Sequence, residues 1–162
     1  MLSCAPAAAA ARTATARARA ITIRPLSLLK TTDLSFGNII PGPGGGTVIV
    51  DPSTDAPTYA GVAGAGGQIG AARFVGVGTA NQLVFVTWNT APFVITRQGG
   101  GATMTVDTLR TNSVFFVFAG NDPRIIPADR TMDIRFGARL RVGANQTEGV
   151  YEGTFAITVD YQ

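Results

Sequence analysis

Apolar and polar residues alternate with a period of two along most of this chain, and helical periodicity is nearly invisible. The clearest run is Thr131 to Gly143. Met132, Ile134, Phe136, Ala138, Leu140 and Val142 fall on one face; Asp133, Arg135, Gly137, Arg139 and Arg141 fall on the other. That pattern predicts a half-buried antiparallel strand with a solvated outer face. Residues 150–162 repeat it, with Tyr151, Gly153, Phe155, Ile157, Val159 and Tyr161 inward, and Gly143 to Gly149 reads as the hairpin loop between the two. Shorter strands are predicted over 34–40, 47–50, 73–78, 82–88, 93–96 and 102–110, bounded by Gly, Pro and Asn. Val114 to Phe118 is continuously apolar, as a strand buried on both faces would be, and Gly120 to Pro123 reads as a loop.

The N-terminal segment has its own alternation. Ala14, Ala16, Ala18 and Ala20 share one face, with Thr15, Arg17 and Arg19 on the other. At Ile21 and Ile23 the apolar parity switches. A one-residue shift inverts which side is buried. The switch therefore predicts a spare strand over 13–20 and a first domain strand over about 20–30. Residues 1–12, with their alanine run, read as a leader or the remnant of a secretory signal. Roughly nine to eleven short strands predict one all-β domain over 21–162, an immunoglobulin-like β-sandwich. No fixed-period repeat supports a propeller or solenoid.

Composition narrows the function. The net charge is +3, but Arg12, Arg17, Arg19 and Arg24 all precede Pro25, and every acidic residue follows it. The basic character belongs to the N-terminal arm. No aromatic residues interleave with its arginines, so it reads as a soluble strand face rather than a nucleic-acid-binding arm. No stretch is long and apolar enough for a transmembrane helix. Histidine is absent and Cys4 is the single cysteine. An intramolecular disulfide, Ser-His-Asp or Cys-His nucleophilic sites and Cys/His zinc sites are thereby excluded. Gly64 to Ile69 fails the dinucleotide-binding glycine pattern at its last position, and Lys30, the only lysine, sits in no phosphate-cradling loop. Asp51 to Asp55 resembles the start of a calcium loop, but Ala56 and Val62 stand where a glycine and a bidentate acid belong. The carboxylate pairs Asp129/Asp133 and Glu148/Glu152 fall in loops or on outward faces, where acids are normally solvated. No enzyme and no cofactor is expected.

Longer motifs carry a resemblance. Pro25-Leu26-Ser27-Leu28, Thr32 through Ile39 with its Asp-Leu-Ser-Phe-Gly core, Pro41-Gly42 and Gly45-Gly46-Thr47-Val48 lie in the first third. Val142 to Gln146, Gly149, Tyr151, Gly153-Thr154-Phe155, Thr158-Val159 and Tyr161 close the chain. Together these resemble a family of bacterial secreted domains of unknown function, which in turn is similar to subunits of archaic, spore-coat-U-like chaperone–usher pili. The resemblance implies an incomplete sandwich, a periplasmic chaperone and an outer-membrane usher as partners, and a homopolymer at the bacterial cell surface. In that reading Ala14, Ala16, Ala18 and Ala20 line the donor strand, and Phe155, Ile157, Val159 and Tyr161 border the acceptor groove. The alternative expectation is a secreted monomeric binding or adhesion module whose N-terminal strand folds back on its own domain.

Overall fold

The computed structural model describes residues 17–113 and 117–162. Its described residues are all-β, arranged as a β-sandwich of antiparallel strands. Fifteen strands follow in order: β1 (Ser27–Thr32), β2 (Ser35–Phe36), β3 (Ile39–Ile40), β4 (Gly46–Val50), β5 (Pro57–Ala60), β6 (Ala63–Gly64), β7 (Ile69–Gly70), β8 (Ala72–Val77), β9 (Leu83–Trp88), β10 (Phe93–Arg97), β11 (Thr103–Thr111), β12 (Asn121–Ile125), β13 (Thr131–Val142), β14 (Tyr151–Glu152) and β15 (Ile157–Tyr161).

The large sheet runs β1-β8-β13-β11-β10-β14. Its spine is β13, the strand most legible in sequence. Residues 131–136 of β13 pair with β8, and residues 139–142 pair with β4 along the same edge. Gly137 separates the two partners: a side chain there would collide with the Val50 carbonyl and Pro52. The small sheet runs β12-β9-β15. Two-residue ladders join β2 to β7 and β3 to β6.

Between the sheets, alternate residues of β13 bury Met132, Ile134, Phe136, Ala138, Leu140 and Val142, as their pattern predicts. Phe136 is the hub of an aromatic cluster, edge-on to Trp88 at 5.0 Å and to Phe74 at 6.1 Å, with Phe155 at 6.0 Å. On the outer face, Asp107 takes Arg139 at 2.6 Å and Arg141 at 2.5 Å. The Arg139 hydrogen bond, then that of Arg141, holds the Asp107 carboxyl well below the ordinary carboxylate range. Asp55 accepts the Ala71 N–H at 2.9 Å and pairs with Arg73, and its pKa is lowered by those two partners in that order.

Several expectations need correction. The first strand begins at Ser27 rather than near Ala20, because Pro25 has no N–H for a ladder. The predicted strand 34–40 is two short pieces, since Gly37 adopts φ 71° and Asn38 N–H turns to the Gly66 carbonyl at 2.8 Å. Of the predicted loop Gly120 to Pro123 only Gly120 is in a turn: Asn121–Ile125 is β12, with Pro123 tolerated on an edge strand. The apolar run at 114–118 falls largely outside the described residues; its last two members, Val117 and Phe118, are exposed rather than buried. β13 and the last strand form no hairpin. The chain changes sheets between them, with β14 on β10 and β15 on β9. Gly153 makes that crossing possible, because a Cβ there would lie 2.8 Å from the Val94 carbonyl oxygen.

Candidate functional site

Two edge strands define the site. β1 is the terminal strand of the large sheet and β15 that of the small one. They run in opposite directions along the same side of the sandwich. Leu26, leading into β1, and the hydroxyl of Tyr161 at the end of β15 both lie within 3 Å of the Cβ position of Gly78. At the other end of this stretch Lys30 pairs with Phe74, whose ring is 6.4 Å from that of Phe155.

The free edge of β15 can be assigned from its ladder. Gln162 N–H donates to the Leu83 carbonyl at 3.1 Å, in the register that pairs Ile157 with Trp88. Hydrogen-bonded positions alternate in antiparallel strands. Thr158, Asp160 and Gln162 therefore face β9, while the backbone groups of Ile157, Val159 and Tyr161 face an edge that no described strand pairs. The side chains of these three residues pack, half-buried, against the core.

A groove of about 1290 Å³ opens between the loops and short strands over residues 30–41 on one side and residues 146–155 on the other. Its floor is apolar, including Phe74, Phe93, Ile95, Met104, Leu140 and Val142. Leu34, Phe36 and Ile39 pack into it from the β1–β3 side and Tyr151 from the other. The Tyr151 hydroxyl donates to the Thr147 carbonyl at 2.6 Å and accepts from Gln146 Nε2 at 2.8 Å, which fixes the 146–150 loop as a wall.

Of the predicted acceptor residues, Phe155 lines the groove itself; Ile157, Val159 and Tyr161 continue its border along the unpaired edge. Of the predicted donor residues, Ala18 and Ala20 are exposed and outside any strand, and Ala14 and Ala16 lie outside the described residues. Sequence reading missed the groove's floor on β10 and its β2–β3 wall, because two-residue strands leave no alternation to detect.

The carboxylates weighed in the sequence have the following surroundings. Asp51 accepts the Ser53 and Thr54 N–H groups at 2.8 and 2.9 Å, an Asx turn, and these bonds lower its pKa. Asp129, Asp133, Glu148 and Glu152 are all exposed. Among the described residues no group of three or more acidic or Cys side chains is placed to hold a metal ion, and no helix is long and apolar enough to cross a membrane.

No curated protein and no solved structure matches this chain. A family model described as a domain of unknown function (DUF4402) matches residues 26–161, from the residue that enters β1 to the end of β15. The chain belongs to the DUF4402 family.

Proposed function

We propose that this protein is the structural subunit of a bacterial surface filament, assembled when the N-terminal arm of one copy adds a strand to the next. The reading takes the sandwich as immunoglobulin-like with one strand position vacant. The observation that carries it is a groove with an apolar floor that ends at Phe155, next to where β15 begins with a backbone edge that no described strand pairs. An exposed edge beside an apolar cleft is an aggregation hazard unless something covers it. An extended segment covers both at once, through ladder hydrogen bonds and alternate side chains in pockets. Residues 13–20 have the composition for that role: Ala14, Ala16, Ala18 and Ala20 inward, with Thr and Arg outward keeping the free arm soluble.

Donation to a neighbour is favoured over folding back. The chain enters the domain at the corner where Leu26 packs near Gly78 and Arg24 N–H donates to Thr79 Oγ1 at 2.7 Å. Returning into its own groove requires reversal at Arg24-Pro25-Leu26, with loss of those contacts. It would also lay the arm parallel to β15, the slightly less stable pairing. The role of the site in this reading is assembly, not catalysis. A periplasmic chaperone and an outer-membrane usher belong to the same proposal, as does export to the cell surface.

A strand interface of this length opens slowly, so its polymers should persist kinetically. The test is electrophoresis of the purified chain in SDS with and without boiling. A ladder of oligomers that collapses to monomer on boiling supports the proposal. Monomer alone in unboiled samples at every protein concentration contradicts it.

A further inference from the structure

The arm carries an apolar pair that its own domain leaves uncovered. Ile21 is 70% exposed and Ile23 47%, both in a segment outside any strand. Their parity is opposite to that of Ala18 and Ala20. Building on the strand-donation reading, we propose that Ile21 and Ile23 of a second copy are the main anchors in the groove. They seat toward Pro41 and Tyr151, in an arm antiparallel to β15. A one-residue bulge at Ala20-Ile21 brings both apolar runs to the same side, as bulges do in strands that must re-aim their side chains.

The floor of the groove is complementary in size to such an arm. Near Phe155 it is lined by Phe74 and Phe93, bulky rings against which the small Ala18 and Ala20 of the arm would lie. Toward Tyr151 it is lined by Ile95, Met104 and Val142, smaller side chains against which branched ones would pack. Large residues facing small ones is how two apolar layers interdigitate.

Direction follows from where the donor's own domain begins. That domain starts at Leu26 and lies outside the groove. At one end, Leu26, Ile126 and Tyr161 of the acceptor converge on Gly78. The arm's C-terminal residues therefore leave by the other end, past Tyr151 and Pro41. Residues 17–19 then lie alongside the last residues of β15.

Charge favours the arm as the occupant of this rim, whichever way it runs. Arg17, Arg19 and Arg24 form no ion pair among the described residues, and neither do Asp160 and Glu152 on the exposed rim. In the antiparallel arm Arg17 and Arg19 reach the Asp160 end and Arg24 the Glu152 end, so opposite charges meet at both.

The experiment mixes two populations of the full-length chain in a Cys4→Ser background, one carrying Thr22→Cys and the other a cysteine on the acceptor rim. Oxidation should join Thr22→Cys to Thr154→Cys at least tenfold better than to Asp160→Cys. Preference for Asp160→Cys, or equal yields, overturns the direction. Separately, Ile21→Ser with Ile23→Ser should reduce assembly at least tenfold while Arg17→Ser leaves most of it. Full assembly by the double-serine variant overturns the anchors while leaving strand donation intact. No cross-link with either rim cysteine, from a chain that stays monomeric, overturns strand donation itself.

Discussion

Leu28 lies directly opposite Gly76 across the β1–β8 ladder, so its side chain shares the inward face with buried Phe74, yet it remains 37% exposed. In the strand-donation reading, an apolar residue on the core side of an edge strand, left partly wet, marks where a donated strand would lie. β1, which carries Leu28, and β15, whose Ile157, Val159 and Tyr161 backbone groups have no ladder partner among the described residues, are both terminal strands of their sheets.

Leu28→Ala should therefore separate stability from assembly. A fully buried residue such as Ile134 loses about 2–5 kcal/mol when cut to alanine. Leu28, already partly solvated, should lose about 1 kcal/mol or less in urea unfolding of the monomer. Assembly, measured by light scattering, should nonetheless fall by a large factor. A loss of stability as great as that of Ile134→Ala would make Leu28 an ordinary core residue.

Asp122 is fully buried, with Arg124 Nε at 2.8 Å and Thr111 Oγ1 at 3.1 Å. Arg124 also donates to the Asp133 carbonyl and to Asn112 Oδ1, both at 2.9 Å, tying β12 to the start of β13. Asp122→Ala leaves that guanidinium buried without its counter-charge, at a cost of about 3–5 kcal/mol. Urea unfolding measures it, and a loss within the range of ordinary surface substitutions would show that water compensates the pair.

Asp107 and Asp55 set an acid limb. Both have pKa values below their ordinary 3.8 in the fold, so the folded state binds fewer protons than the unfolded chain. Their stabilisation is fully present above the ordinary value and is lost as pH falls below it toward the depressed values. Asp107→Asn should lower stability at neutral pH and flatten its decline below pH ~4. An unchanged acid limb in thermal melts across that window would remove Asp107 from the account.

Reversing Arg17 and Arg19 to Glu should slow assembly mainly at low salt. Each exposed pair is worth only about 0–1 kcal/mol, while burial of an isoleucine is worth about 1.5–3 kcal/mol. The charge effect should fade as salt approaches 1 M, where screening acts over about 3 Å. Rates of scattering increase at two salt concentrations test this; a slowing that persists at high salt points to a lost contact rather than a lost charge.

The parts of the fold that were readable had long, unbroken alternation. β13 could be read residue by residue because twelve consecutive positions obey one pattern. Alternation also misled. Tyr151 to Tyr161 keeps its parity throughout, but parity carries no information about which sheet a strand joins, and the chain crosses between sheets around Gly153. Ile21 and Ile23 looked like the start of β1 because β-branched residues favour strands; Pro25 decided otherwise. Asp122 sat in an apparent loop because Gly120 and Pro123 are turn residues, and only tertiary pairing with β9 makes the segment a strand. β15, which continues from the groove, was legible as a strand. The floor of the groove was not, because β10 and the β2–β3 wall are brought together by long-range topology.

Electron microscopy of the purified full-length chain, concentrated after refolding and compared with a chain lacking residues 1–24, decides whether the arm assembles this protein. Strand donation predicts thin filaments from the full chain, and from the shortened chain only single particles with an intact β-sheet circular dichroism signature. Single particles from both, or filaments that form equally well without the arm, would contradict it.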